Sequence, residues 1–138
     1  MYDKIMVPVD LAHADRLDKA IKTAADIAKA NDATITFVGI TTEQPSATAK
    51  TPKEYGEKLA AFAAAQSEIH AIPIASQARV SHDPAIDKDD ILEDEVEANG
   101  YDLVVMASHV PGFGERIFAS NAGYLASHSK VSVFVVRG

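Results

Sequence analysis

A chain of 138 residues that is 47% hydrophobic, with only 7 glycines and 6 prolines, has the size and composition of one globular domain, residues 1–138, with its own core. Its formal charge of -7 excludes partners held chiefly through a phosphate backbone or an anionic surface, so nucleic acid binding and membrane insertion are not expected. The lack of cysteine removes disulfides, thiolate catalysis and zinc–thiolate sites together. "MYDKIMVPVD" carries no secretory layout and no apolar run reaches membrane-spanning length, which makes the cytoplasm the expected location.

"KIMVPV" (Lys4 to Val9) is a short apolar run ending at Asp10, bounded like a strand buried on both faces. From Asp15 to Asn31, Leu17, Ala20, Ile21, Ala24, Ile27 and Ala28 recur at three- and four-residue steps with charges off the stripe, predicting an amphipathic helix. "ATITFVGI" (Ala33 to Ile40) is a second strand, and the polar, aperiodic Thr41 to Pro52 is a loop. Pro52 to Ile69, rich in Ala, Lys and Glu, predicts a helix, followed by a weak strand at Ser76 to Val80. Asp87 is suited to cap a helix running to Asn99, with Gly100 as its stop. "YDLVVMAS" is then a fourth strand, Ser120 or Asn121 caps a helix through His128, and "VSVFVVR" closes the chain as a fifth strand.

Strands alternating with helices throughout define an α/β fold: an open, parallel five-stranded sheet with helices on both faces. In such sheets ligands bind beyond the carboxyl ends of the strands, where strand order reverses. Asp10 after the first strand, Ile40 and Thr41 after the second, and the stretch "ASHVPGFGERIFASNAG" (Ala107 to Gly123) after the fourth all converge there.

That last stretch runs from a buried strand into a helix capped by Ser120, which aims free N–H groups and the positive end of the helix dipole outward. A small phosphate group can be held there despite the negative net charge. Gly112 and Gly114 permit close backbone approach, while Ser120 and Asn121 supply hydrogen bonds at the cap. The plainer alternative is an ordinary strand-to-helix connection, since neither a full G-x-G-x-x-G nor a Walker sequence is present. Asp10 has two readings as well: a bond to a ribose hydroxyl or a cap on the following helix. His109 has two again, a phosphate contact or a bond to loop backbone.

Other chemistries have less support. His13, His70, His82 and His128 show no metal-ligand spacing, so any metal ion is expected to arrive with phosphates. "FASNAG" fails the G-x-S-x-G pattern because Phe118 stands at the first glycine, and no base for activating water stands out. The acidic run Asp87 to Glu97 reads as a helix with acids in its first turn and a solvated outer face.

"KIMVPVD", "YDLVVMASH", the "SNA" opening the next helix and "VSVFVVR" together resemble the universal stress proteins across essentially the whole chain. The resemblance implies a Rossmann-like fold of that type. Family members commonly follow the fourth strand with two glycines separated by two residues and, after eight or nine more residues, a Gly-Ser whose backbone and hydroxyl cradle ATP phosphates. One bacterial branch reads A-S-H-R-P with a later G-S-N-A, and this chain is similar to it at Ala107, Ser108, His109, Pro111, Ser120, Asn121 and Ala122. It departs at Val110, where that branch has arginine, and at Ala119, where it has glycine. Val110 supplies no guanidinium fork, and Ala119 adds a Cβ where backbone approach is close. Gly112 and Gly114 let the loop fold closer, and Arg116 is near in sequence to supply charge.

By the same resemblance Pro8, Val9 and Asp10 flank adenine and ribose, Asp10 bonds ribose hydroxyls, and the backbone of Ile40 reads the adenine edge. Met106, Ala107, His109, Val110, Ala119, Ser120 and Asn121 complete the expected nucleotide site. The final strand is expected to pair with its copy in a homodimer, which would cover the edge that "VSVFVVR" exposes. The function implied is a stress-response regulator, not an enzyme, that binds ATP, with Mg2+ carried by the phosphates, and that acts on an unidentified protein partner. The alternative is a dimeric interaction protein of the same fold whose phosphate loop has drifted and binds no nucleotide.

Overall fold

The computed structural model describes residues 1–82, 84–107, 123, 125–127 and 130–137. Its five strands are β1 (Lys4–Pro8), β2 (Thr34–Thr41), β3 (Ile74–Val80), β4 (Leu103–Ala107) and β5 (Ser132–Val136), and its long helices are α1 (Asp18–Asn31), α2 (Pro52–His70) and α3 (Pro84–Asn99). All the strand pairings are parallel, in the order β3-β2-β1-β4-β5. The α/β sheet expected from the alternating pattern is therefore present. Gly123 and residues 125–127 are helical between β4 and β5, while the cap expected at Ser120 or Asn121 and the end at His128 lie outside the described residues.

Period-two alternation divides the core between the two faces of the sheet. Ile5, Val7, Ile35, Phe37, Leu103 and Val105 join the buried face of α1 and Tyr55, Leu59 and Ala63 of α2. Met6, Val38, Val104 and Met106 join Leu92 and Val96 of α3 and Leu125 on the opposite side. The central strands have buried residues on both faces, which is why β1 and β4 read as continuous apolar runs.

Several boundaries differ from those the sequence predicts. The first helix does not run unbroken from Asp15. A 3-10 turn spans Leu11–Arg16, His13 breaks its helical geometry (φ -130, ψ 31), and α1 starts only at Asp18. β3 begins at Ile74, two residues before the predicted Ser76. Its alternating half-burial, typical of a sheet edge, weakens the apolar signal. α3 starts at Pro84, so Asp87 lies inside the helix and does not cap it. Proline's fixed φ suits a first helical position, where its missing N–H costs nothing. β4 starts at Leu103, because Tyr101 and Asp102 serve other purposes: the Asp102 carboxylate accepts the N–H groups of Asp3 (2.8 Å) and Lys4 (3.1 Å), tying β1 to β4.

The Thr41 to Pro52 loop is organised by hydroxyls. Ser46 Oγ accepts the N–H groups of Thr48 and Ala49, both at 3.2 Å, and Ala49 is buried beneath it. Thr51 then caps α2 by accepting the N–H of Glu54 at 3.1 Å, with Pro52 next in line. At its other end α2 stops on Ala71 in the left-handed region (φ 52), a position where a Cβ is strained. Ala71→Gly is expected to raise unfolding stability by roughly 0.5–1 kcal/mol in urea denaturation, the relief of strain exceeding glycine's added chain entropy. An unchanged or lowered midpoint would show that the strain is absorbed elsewhere. Gly100, with φ 67, ends α3 as the sequence predicts.

Candidate functional site

Strand order reverses between β1 and β4, because the chain builds outward from β1 to β2 and β3 on one side and later places β4 and β5 on the other. At such a switch point a crevice is expected beyond the carboxyl ends of the strands, and the register shows the two strands parting there. β1 pairs with β4 only at Ile5↔Leu103 and Met6↔Val104, whereas Val105, Met106 and Ala107 pair only with β5. Pro8 stands beyond that pairing. Its backbone faces the β4 side, as that of Lys4 does when its carbonyl accepts from Asp102, so no ladder bond is lost by placing proline in a central strand.

β2 outruns β1 on the other flank. The β1–β2 ladder ends at Pro8↔Val38, with Val9 N–H donating to the Val38 carbonyl at 2.8 Å, while β2 continues along β3 to Thr41↔Val80. Backbone groups alternate sides along a strand. The Val38 carbonyl faces β1 and the Thr41 carbonyl faces β3, where it accepts from Ser81 at 2.8 Å, so the N–H and C=O of Ile40 point to the β1 side just past the end of that strand.

Asp10 follows directly. Its Oδ1 accepts the Ala12 N–H at 3.1 Å, capping the 3-10 turn, and its Oδ2 lies 3.2 Å from His13 Nδ1. The cap, one of the two readings open from sequence, is therefore made. Both side chains keep partial exposure, 20% for Asp10 and 27% for His13, so the carboxylate is still reachable from solvent.

Behind Asp10 stands Tyr55, in the first turn of α2 and 5% exposed. Burial first and the negative charge of Asp10 second push its hydroxyl pKa up to about 12, against a smaller opposing pull from the backbone of Leu11. The phenol fits only because residue 39 is glycine: a Cβ on Gly39 would lie 2.6 Å from the Tyr55 oxygen and 2.8 Å from its Cε1. Sequence reasoning missed Tyr55, Gly39 and His13. The available signal was the glycine inside "TITFVGIT", since glycine in a strand interior often marks the close approach of another group.

Pro8, Val9, Asp10, Ile40, Met106 and Ala107 are thus gathered at the carboxyl ends of β1, β2 and β4, with Val9, Met106 and Ala107 buried and Asp10 and Ile40 part-exposed. His109, Val110, Ala119, Ser120 and Asn121 lie outside the described residues, together with Ser108, Pro111, Gly112, Gly114, Arg116 and Ala122. Among the described residues no group of three or more His, Cys, Asp or Glu side chains is placed to hold a metal ion. No described helix is long and apolar enough to cross a membrane.

The chain matches the Universal stress protein family over residues 1–137 and belongs to it. Solved structures agree in fold. The universal stress protein UspA from Lactobacillus plantarum is 20% identical and superposes with a TM-score of 0.69 over 99% of this chain and 98% of its own. A universal stress protein in complex with cAMP is 20% identical, with a TM-score of 0.69 over 98% of this chain and 97% of its own. The universal stress protein from Archaeoglobus fulgidus in complex with dAMP is 17% identical, with a TM-score of 0.66 over 97% of each chain. At these identities the likeness establishes the fold.

Proposed function

We propose that this universal stress protein is a cytoplasmic, non-enzymatic regulator that binds an adenine nucleotide, ATP foremost, in the crevice between β1 and β4 and acts as a homodimer in a stress response. The observation that carries this reading is the joint presentation of the Asp10 carboxylate and the backbone groups of Ile40 at the switch point of the sheet. A carboxylate there suits ribose hydroxyls, and an N–H beside a C=O suits an adenine edge, which offers both an acceptor and a donor. Family membership and the cAMP and dAMP held by two fold relatives support the same ligand class. Phosphates would fall to the stretch from Ser108 to Asn121, and any Mg2+ would come with them.

The second reading, a dimeric interaction protein without nucleotide, is favoured by Val110 and Ala119, which depart from the family's phosphate cradle. Calorimetric titration separates the two. The wild-type chain is expected to bind both ATP and adenosine. Val110→Arg with Ala119→Gly is expected to tighten ATP about ten- to hundredfold while leaving adenosine nearly unchanged, the scale of one added charge-assisted contact. A folded variant that binds neither ligand would sink the nucleotide reading and leave the interaction protein.

A further inference from the structure

The Asp10 carboxylate is held at both of its oxygens by the turn that follows it. Oδ1 accepts the Ala12 N–H at 3.1 Å, and Oδ2 lies 3.2 Å from His13 Nδ1. A carboxylate can only accept, so Nδ1 of His13 carries a proton and donates. The His13 N–H also donates to the Asp10 carbonyl at 3.0 Å, joining the two residues through main chain and side chain alike. One bond alone would leave the carboxyl group free to swing about its last torsion, which is broad in aspartate, whereas a second bond on the other oxygen fixes its plane. Each carboxylate oxygen has two lone pairs, so each can accept from one more donor. With Asp10 20% exposed, those positions are within reach of solvent.

We infer that His13 is a positioning residue for Asp10: it holds the carboxylate so that the two oxygens meet the two vicinal hydroxyls of a ribose together, and so it sets the preference for ribose over sugars lacking that diol. The inference rests on the nucleotide reading above and adds to it a residue that acts through Asp10. A part-exposed pair three residues apart contributes little to folding by itself, so its effect is expected in the choice of sugar. Removing the His13 donor leaves Asp10 capping the turn through Oδ1 but frees Oδ2 from its fixed direction.

The test compares adenosine with dideoxyadenosine, which lacks both vicinal hydroxyls, by calorimetry on the full chain. Wild type is expected to prefer adenosine. His13→Leu, similar in bulk but without a donor, should shrink that preference about five- to tenfold, the worth of roughly one hydrogen bond, with dideoxyadenosine affinity unchanged within about twofold. Asparagine branches at Cγ as histidine does and places an amide N–H where Nδ1 stands, so His13→Asn should restore most of the preference lost in His13→Leu. Asp10→Asn should shrink the preference as well, and adding His13→Leu to it should change little more, because both act through one side chain. A preference kept intact in His13→Leu but lost in Asp10→Asn overturns the inference, as does an equal loss for both ligands or a His13→Asn chain no better than His13→Leu. Nitrogen NMR of the His13 ring without ligand reads the contact directly, and Nδ1 should be protonated. A ring protonated at Nε2 alone overturns the inference whether or not nucleoside binds, whereas a protonated Nδ1 in a wild-type chain that binds neither adenosine nor ATP overturns the nucleotide reading and, with it, the ribose role.

Discussion

Arg79→Met is expected to lower unfolding stability by about 2–4 kcal/mol, and Glu95→Gln added to it should restore a good part of that loss. Glu95 is only 2% exposed on α3, and its carboxylate is served by Arg79 Nη1 of β3 at 2.8 Å, Asn99 Nδ2 at 2.7 Å and the Tyr101 hydroxyl at 3.2 Å. Arg79 also meets Asp94 at 2.9 Å, but Asp94 is 65% exposed and that pair contributes little. The bonds to Glu95 and then Asp94 hold the guanidinium pKa above its ordinary value, in keeping with a cation bound by its carboxylates.

Removing the cation alone leaves a buried carboxylate with two neutral donors. The loss falls below that of a fully dry pair because the Arg79 side chain keeps 28% exposure. Glutamine at 95 still offers an oxygen to Asn99 and Tyr101 but carries no charge, so the doubly substituted chain should unfold at a higher urea midpoint than Arg79→Met alone. Equal midpoints for the single and double variants would mean that the carboxylate finds water once Arg79 is gone, and the pair would then be no more than a surface contact.

This cluster also marks a limit on what the sequence could disclose. The acidic run from Asp87 to Glu97 reads as a solvated helix face, and for Asp94 that is right, yet Glu95 turns inward to a partner on β3. Nothing local distinguishes the two neighbours. The difference is made by Arg79, sixteen residues away on an edge strand whose half-buried alternation conceals it in sequence. The central strands were legible for the opposite reason. Burial on both faces makes "KIMVP" and "LVVMA" apolar without interruption, whatever their partners. The stripe of Ala20, Ile21, Ala24 and Ala28 likewise declares α1 from its spacing alone. The start of α1 was not legible, because the 3-10 turn before it, capped by Asp10 at the Ala12 N–H and broken at His13, moves the first α-helical residue to Asp18.

In the candidate site the same division holds. Asp10 and Ile40 could be read from sequence because a strand's carboxyl end is a position along the chain. Tyr55 could not, because its place behind Asp10 depends on the empty space at Gly39, which is a property of packing.

Replacing both Phe134 and Val135 with Lys is expected to turn the proposed homodimer into a monomer, seen as a halved mass in light scattering. β5 pairs with β4 on one side and lies at the edge of the sheet, so its other row of backbone groups faces outward. On that strand Phe134 is 46% exposed and Val135 40% exposed, side chains of opposite sheet faces that a lone edge would leave against water. Val133, a natural choice from sequence, is the poorer probe: it packs partly against the core formed with Leu125 and Val131, so a lysine there would damage the fold along with any interface. In a two-fold dimer each substitution appears twice, once on either side of the axis. Losing the burial of these side chains should cost about 3 kcal/mol or more, roughly a hundredfold or more in the dimer dissociation constant, while the urea midpoint of the folded monomer moves little. A doubly substituted chain that remains dimeric would move the interface off β5, and the next surface to examine would be the end of α2, where Ile69 is 68% exposed.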